Sequence, residues 1–178
     1  SLIDRNGVKY EKDSQSPYTG KVFELDDNGN KVIEGSYKNG LKNGKWIQEY
    51  ETKGKWETPY KDGKVDGLWT HWFPSGKKNE EGIYKNGKKG GVWNGWYEDG
   101  QKRYEGRYTD GKIHGLMTHW YENGQKKKES TSHFPSGKLN GLWTEWYENG
   151  HKKKEGISKD GEVVEIISMW NEDGSLKE

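Results

Sequence analysis

Five histidines, 29 carboxylates, 30 basic side chains and 24 aromatic rings are the groups in this 178-residue chain that could do chemistry. A transition-metal site asks for three or four converging ligands. His114 and His119 stand five apart, but His114 reads as part of a turn and His119 as part of a strand, where it takes the place that His71 and Glu145 hold elsewhere. The chain has no cysteine, so these read as surface histidines, and neither a metal nor a cofactor is expected. Carboxylate pairs do acid–base work when burial raises the pKa of one member. Asp26 with Asp27, and Glu80 with Glu81, fall beside turns or on alternating faces of a strand and read as solvated. The serines lie among turns such as "PSG" at 74–76 and 135–137, without a Ser, His, Asp arrangement. No catalytic residue is assigned, and the chain reads as a non-enzyme.

Two sets of side chains recur in a way that could bind something. Lys77 and Lys78, Lys102 and Arg103, Lys126 to Lys128 with Lys127 between them, and Lys152 to Lys154 with Lys153 between them, each follow an equivalent turn. Stacked, they would form a basic stripe able to attract phosphates or anionic headgroups, or simply to keep sheet edges soluble. Glu and Asp before each turn largely neutralise it, so nucleic acid is not expected. The other set is Trp72, Trp96, Trp120 and Trp146, a candidate binding face, since an exposed aromatic ladder can stack on sugars or on apolar side chains. Trp69, Trp93 and Trp143 lie three positions earlier and project to the opposite side of a strand.

The elements that must position these residues follow from periodicity. The glycine after the aromatic pair recurs at Gly29, Gly54, Gly76, Gly100, Gly124, Gly150 and Gly174, with spacings of 25, 22, 24, 24, 26 and 24. Gly76, Gly100, Gly124 and Gly150 are read as structural turn residues. Two further glycine series and a third ring column, Tyr37, Tyr60, Tyr84, Tyr108 and Phe134, keep the same period. Stretches such as "GLWTEWY" and "RYEGRY" favour a pleated surface. They are joined at one end by "ENG" or "EDG", whose Asn-Gly and Asp-Gly pairs tolerate positive φ, and at the other by segments such as "DGKIHG". The expected fold is all-β: an elongated, single-layer, twisted antiparallel meander of about seven tandem 24-residue hairpin repeats, with about 13 strands. At ~4.8 Å per strand it would run roughly 58 Å. Residues 1–16 are read as an N-terminal cap, 17–161 as the tandem repeats and 162–178 as a capping half-repeat.

Composition tests this reading. Only 28% of the chain is hydrophobic, there is no alanine against 26 glycines, and Leu, Ile, Val and Phe number 26. Such a chain approaches disordered composition, but the net charge is only +1 and the rings replace the aliphatic core. The glycine of the "EG" step (Gly35, Gly82, Gly106, Gly156) would then seat a neighbouring ring. No apolar run reaches the length of a membrane-spanning helix. The start at Ser1 without a methionine is compatible with a removed signal and export to the cell envelope; no compartment is assigned.

The recurring "WYENGQKKKEG…YKNGK…GLWTEWYENG", clearest over residues 96–150, resembles the variant MORN repeat of the bacterial YwqK antitoxin-like family. The resemblance implies a meander of hairpins and no defined activity; the lipid-kinase labels attached to some such arrays find no kinase motif here. The second unit departs from the pattern, with Glu49 where a ring is expected and Pro59 in its lysine strand, and Met117 replaces a Trp. A ladder of equivalent sites suits a protein partner held by many weak contacts, a toxin if the antitoxin label applies. A glycan of the cell envelope and an anionic lipid surface are the alternative partners.

Overall fold

The structure, a computed structural model, describes residues 1–133 and 135–178; Phe134, the last member of the third ring column, lies outside the described residues. Among the described residues there is no helix, as the missing alanine and abundant glycine dictate. The chain forms two compact units, 1–88 and 89–178.

In the first unit a small hairpin, β1 (Leu2–Arg5) and β2 (Val8–Glu11), precedes a meander of β3 (Gly20–Leu25), β4 (Lys31–Lys38), β5 (Leu41–Tyr50), β6 (Gly54–Lys61), β8 (Gly67–Trp72) and β9 (Lys78–Lys85), with the short β7 (Lys64–Val65) beside β6. The second unit is a meander of β10 (Lys88–Trp96), β11 (Lys102–Thr109), β12 (Lys112–Trp120), β13 (Lys126–His133), β14 (Lys138–Trp146), β15 (Lys152–Lys159) and β16 (Glu162–Met169). Spatial order follows chain order in each unit, and neighbouring strands within each unit pair antiparallel. Six meander strands and seven make up the thirteen expected. The β1–β2 hairpin bonds to the β4–β5 turn, Lys9 N–H donating to the Gly40 carbonyl at 2.9 Å, while β3 pairs with β4. His114, expected in a turn, lies in β12.

Two turn chemistries alternate. At one end Asn39-Gly40, Asp62-Gly63, Asp110-Gly111 and Asp160-Gly161 all have positive φ at both residues, the signature of two-residue type I′ hairpins. At the other end only the glycine is left-handed, as at Gly100 (φ 97°), whose N–H donates to the Tyr97 carbonyl at 3.0 Å while Tyr97 N–H donates to Gln101. That is a type I turn closed by a bulge glycine. In the "ENG" turns Gly124 and Gly150 use the positive φ that the sequence tolerates, while Asn123 and Asn149 stay out of that region and their side chains accept the Gln125 and His151 N–H groups within the turn.

A single layer has to bury its core in its own surface, and the glycine seats make this possible. Trp46, Trp93, Met117 and Trp143 are 5%, 0%, 8% and 6% exposed. In register Trp93 and Met117 face Gly106 and Trp143 faces Gly156, while Gly35, at a bulge between β4 and β5, lies against the Trp46 indole. A Cβ at Gly35 would overlap the indole of Trp46, and one at Gly156 would come within 2.8 Å of Trp143. Rings thus lie flat along the backbone, flanked edge-on by Tyr37 and Tyr60 around Trp46 (5.1 and 6.2 Å) and by Tyr108 beside Trp93 (6.1 Å). Lys42 and Lys89 cover Trp46 and Trp93 with ammonium groups at 4.2 and 3.6 Å from the ring centroids. Burial pushes the Lys42 ammonium pKa down, and nearby Lys9 adds to the shift. Where the strand glycine is missing, Thr58 faces Trp46 and a buried Ser130 faces Met117 and Trp143, both small enough to leave the ring its place.

Candidate binding face

Strand alternation sends the residues next to the buried rings to the opposite, open face. Three rows run across it in the second unit, and β8 of the first unit carries one member of each. The outermost is aliphatic: Leu68, Val92, Leu116 and Leu142, exposed by 57%, 40%, 53% and 52%. The middle row pairs Thr70 with Glu81, Thr118 with Glu129 and Thr144 with Glu155 in register, and the last two threonines donate to their glutamates at 3.3 and 3.2 Å. The third row holds Trp72, Trp96, Trp120 and Trp146, all half-buried, facing Lys78, Lys102, Lys126 and Lys152.

A recurrent bulge at the start of β9, β11, β13 and β15 sets this third row. Between the pairs His119↔Lys128 and Trp120↔Lys126, Lys127 is the extra residue; Asn79, Arg103 and Lys153 are its counterparts. Three successive lysines therefore leave in three ways. Lys126 stays on the open face, paired to Glu129 at 2.7 Å and lying 5.6 Å from the Trp146 ring centroid. Lys127 turns to the Tyr121 ring, 5.3 Å away. Lys128 reaches the packed face, pairing with Glu145 at 3.0 Å over Trp143. Lys152 repeats the arrangement with Glu155 (2.7 Å) and Trp170 (5.4 Å), and Lys153 lies over Tyr147. Lys102 pairs with Glu105 and lies over Trp120, while Arg103 stands near the Tyr104 ring. Lys78 pairs with Glu81 at 2.6 Å, and Lys77 is a turn residue whose carbonyl accepts from Phe73. The basic stripe of the sequence is thus distributed over two faces and an edge, its open-face members matched by carboxylates. The Lys152 ammonium holds the Glu155 carboxyl below its ordinary range.

Tyrosines and asparagines of the turns at Gly100, Gly124 and Gly150 fix one repeat to the next. Tyr97, Tyr121 and Tyr147 donate their hydroxyls to the carbonyls of Trp120, Trp146 and Trp170 at 2.7–2.9 Å. Asn123 and Asn149 donate to the Glu148 and Glu172 carbonyls. The open-face indoles therefore sit on backbone that is bonded on both sides.

The histidine row lies on the packed face. His71 stacks on Trp56 at 4.4 Å with planes 7° apart, a ring outside all three sequence columns. His119 is half-buried beside Tyr104, 6.1 Å away, and lines a small cleft of about 330 Å³ with Tyr97, Arg103, Trp120, Lys127 and Lys128. Burial lowers its pKa, and the three neighbouring cations lower it further. A cleft of about 960 Å³ lies in the first unit beside Glu49, which stands where the regular repeats carry an indole.

Sequence reasoning singled out the indole row but passed over the aliphatic one. Its signal was present: Leu68, Val92, Leu116 and Leu142 each stand one residue before a buried-column position, at the repeat period. No helix among the described residues is long and apolar enough to cross a membrane.

The family model described as MORN repeat variant matches this chain five times, over residues 18–39, 65–86, 89–110, 113–134 and 139–160. The gap at 40–64 contains Glu49 and Pro59, where the pattern breaks. No curated protein matches the chain.

Proposed function

Because the chain belongs to the MORN repeat variant family, whose pattern covers more than half of it, we propose that it is a non-catalytic scaffold that binds a protein partner through the open faces of its repeats. The observation carrying this reading is the aliphatic row, with Leu68, Leu116 and Leu142 each more than half exposed beside a row of indoles. A protein surface with aliphatic and aromatic side chains complements such a surface, since aromatic anchors carry most interface energy. Equivalent sites repeated along a unit let several weak contacts act together.

Lipid headgroups are less well served, because Lys78, Lys102, Lys126 and Lys152 are each paired with a glutamate. Under the antitoxin-like reading the partner is a protein toxin, with the same face neutralising it.

The test is affinity capture with the intact chain and with Leu116→Ser/Leu142→Ser, which changes exposed side chains and leaves the glycine seats alone. One identified protein, held by the intact chain and lost by the variant with an unchanged circular dichroism spectrum, is the expected result. Its purified form should then bind directly. Equal capture by both forms would remove the open face from the reading. Retention of purified cell-wall glycan instead would replace the protein partner.

A further inference from the structure

In the open-face row of the first unit the position equivalent to Trp72 is Leu25 in β3 and Glu49 in β5, so Glu49 is the one place of the row that holds neither a ring nor an aliphatic side chain. In regular repeats a lysine of one strand faces its own indole in register and extends its ammonium over the indole of the following aromatic strand. Lys102 lies over Trp120, Lys126 over Trp146 and Lys152 over Trp170, at 5.4–5.9 Å. Lys31 occupies the same place in β4, with the same i,i+3 pairing, to Glu34 at 3.2 Å. The residue its ammonium would cover is Glu49, which is exposed, and Lys31 instead lies 5.4 Å over Phe23 on the preceding strand. On the far side of the gap Lys55, facing Glu49 and Trp72 in register, covers Trp72 at 5.3 Å.

A cleft of about 960 Å³ lies in this gap. Its walls include Lys31 and Val32 on one side and Lys55 and Trp72 on the other, with Glu49 and Tyr50 between them. The departure from the repeat and the cleft are separate observations, one of sequence and one of shape, and they coincide. At about 960 Å³ the cleft is ample for a side chain with two rings.

The charge at the rim narrows the occupant. Both lysines are already matched, Lys31 by Glu34 and Lys55 by Glu57 at 3.1 Å. Asp26 is engaged by its own turn, accepting from the Asn28 and Asn30 N–H groups at 2.9 and 2.8 Å. Glu49 and Glu51 remain as exposed carboxylates beside the seat. A flat ring with an N–H donor could extend the indole–ammonium row and donate to Glu49, and a neighbouring cation would meet Glu51. We propose that the Glu49 cleft is a docking seat for a tryptophan side chain of the partner, presented next to a basic residue. This deepens the protein-partner reading and rests on it.

The test uses the whole chain, labelled with ¹⁵N, titrated with the blocked dipeptide Ac-Trp-Lys-NH₂ and followed by amide chemical shifts. The expected result is saturable, millimolar binding with shifts confined to residues 26–32, 49–55 and 72–76. Glu49→Trp fills the seat with the residue the other repeats carry and should abolish those shifts. Glu49→Gln, which keeps the shape, should weaken binding severalfold. Absence of shifts with the dipeptide overturns the proposal, as do equal shifts with Ac-Leu-Lys-NH₂ or shifts that persist in Glu49→Trp. Preference for methyl β-glucoside would make the cleft a sugar site, and self-association abolished by Glu49→Trp would make the occupant a second copy; either overturns the assignment to a partner tryptophan. Since Glu49→Trp leaves Leu116 and Leu142 untouched, failure here with a positive capture experiment removes the seat alone.

Discussion

Tyr121 and His119 show how single side chains act in a protein with so little aliphatic core. The Tyr121 hydroxyl donates to the Trp146 carbonyl at 2.9 Å, so Tyr121→Phe removes one contact between successive repeats and leaves the ring in place. The cost should be about 0.5–1.5 kcal/mol of unfolding free energy, read as a lower urea midpoint with an unchanged slope. The protein already carries Phe73 at the equivalent position, so the variant should fold. His119 is a pH-dependent element. Its folded pKa is held below the ordinary imidazole value by burial first and by Lys128, Lys127 and Arg103 next, so protonation favours the unfolded chain. The stability linked to this group is therefore fully present above the unfolded pKa and is lost as pH falls through about 6.5 towards the lower folded value. Between about pH 7.5 and 5.5 the urea midpoint should fall more steeply in the native protein than in His119→Gln; equal slopes would exclude this role for His119.

At the scale of the strand and its turns, the glycine seat reverses a familiar expectation. Replacing glycine by alanine inside a strand ordinarily stabilises by about 0.4–1 kcal/mol, because the unfolded chain loses freedom. At Gly35 the new methyl would overlap the Trp46 indole, which Tyr37, Tyr60 and Lys42 hold in place. Gly35→Ala should therefore destabilise by about 1–3 kcal/mol, with altered near-ultraviolet circular dichroism. At Gly106 the methyl would meet the flexible Met117 thioether, so Gly106→Ala should cost clearly less in the same unfolding assay. The seats and the strand order were legible in the sequence because both follow from period: a glycine and a ring recurring together can meet only if adjacent strands align them. The turn types were less legible. "YENG" and "YKNG" differ by one residue before the Asn-Gly pair, and what separates them is the register on either side, two residues against a bulged three. The fate of the lysines was hidden for the same reason, since the bulge at Lys127 sends neighbours in "KKK" to different surroundings while the letters are identical. The Glu49 departure was visible, but the cleft it opens depends on where Lys31 and Lys55 extend.

For the whole molecule, tandem repetition makes stability a sum of units and their neighbour contacts, which gives a deletion experiment a definite outcome. Gly115 and Gly141 are equivalent positions, both with positive φ (86° and 116°) in a bulge near the start of β12 and of β14. Removing residues 115–140 joins His114 to Gly141 and excises one full up-and-down pair, so every remaining strand keeps its direction and its packed face. The shortened chain should retain the β-sheet spectrum and unfold cooperatively, with a urea m-value lower by about one seventh, in proportion to the surface lost. Removing 13 residues, from Gly124 to Ser136, takes out a single strand instead. The next strand would then have to run parallel to its neighbour over a connection far too short for a crossover, and its rings would lose their seats. That chain should lose the cooperative transition. If both deletions behaved alike, the repeat would be a pattern of letters without being the unit that carries stability; a difference between them would show that the 24-residue hairpin is the structural quantum of the fold.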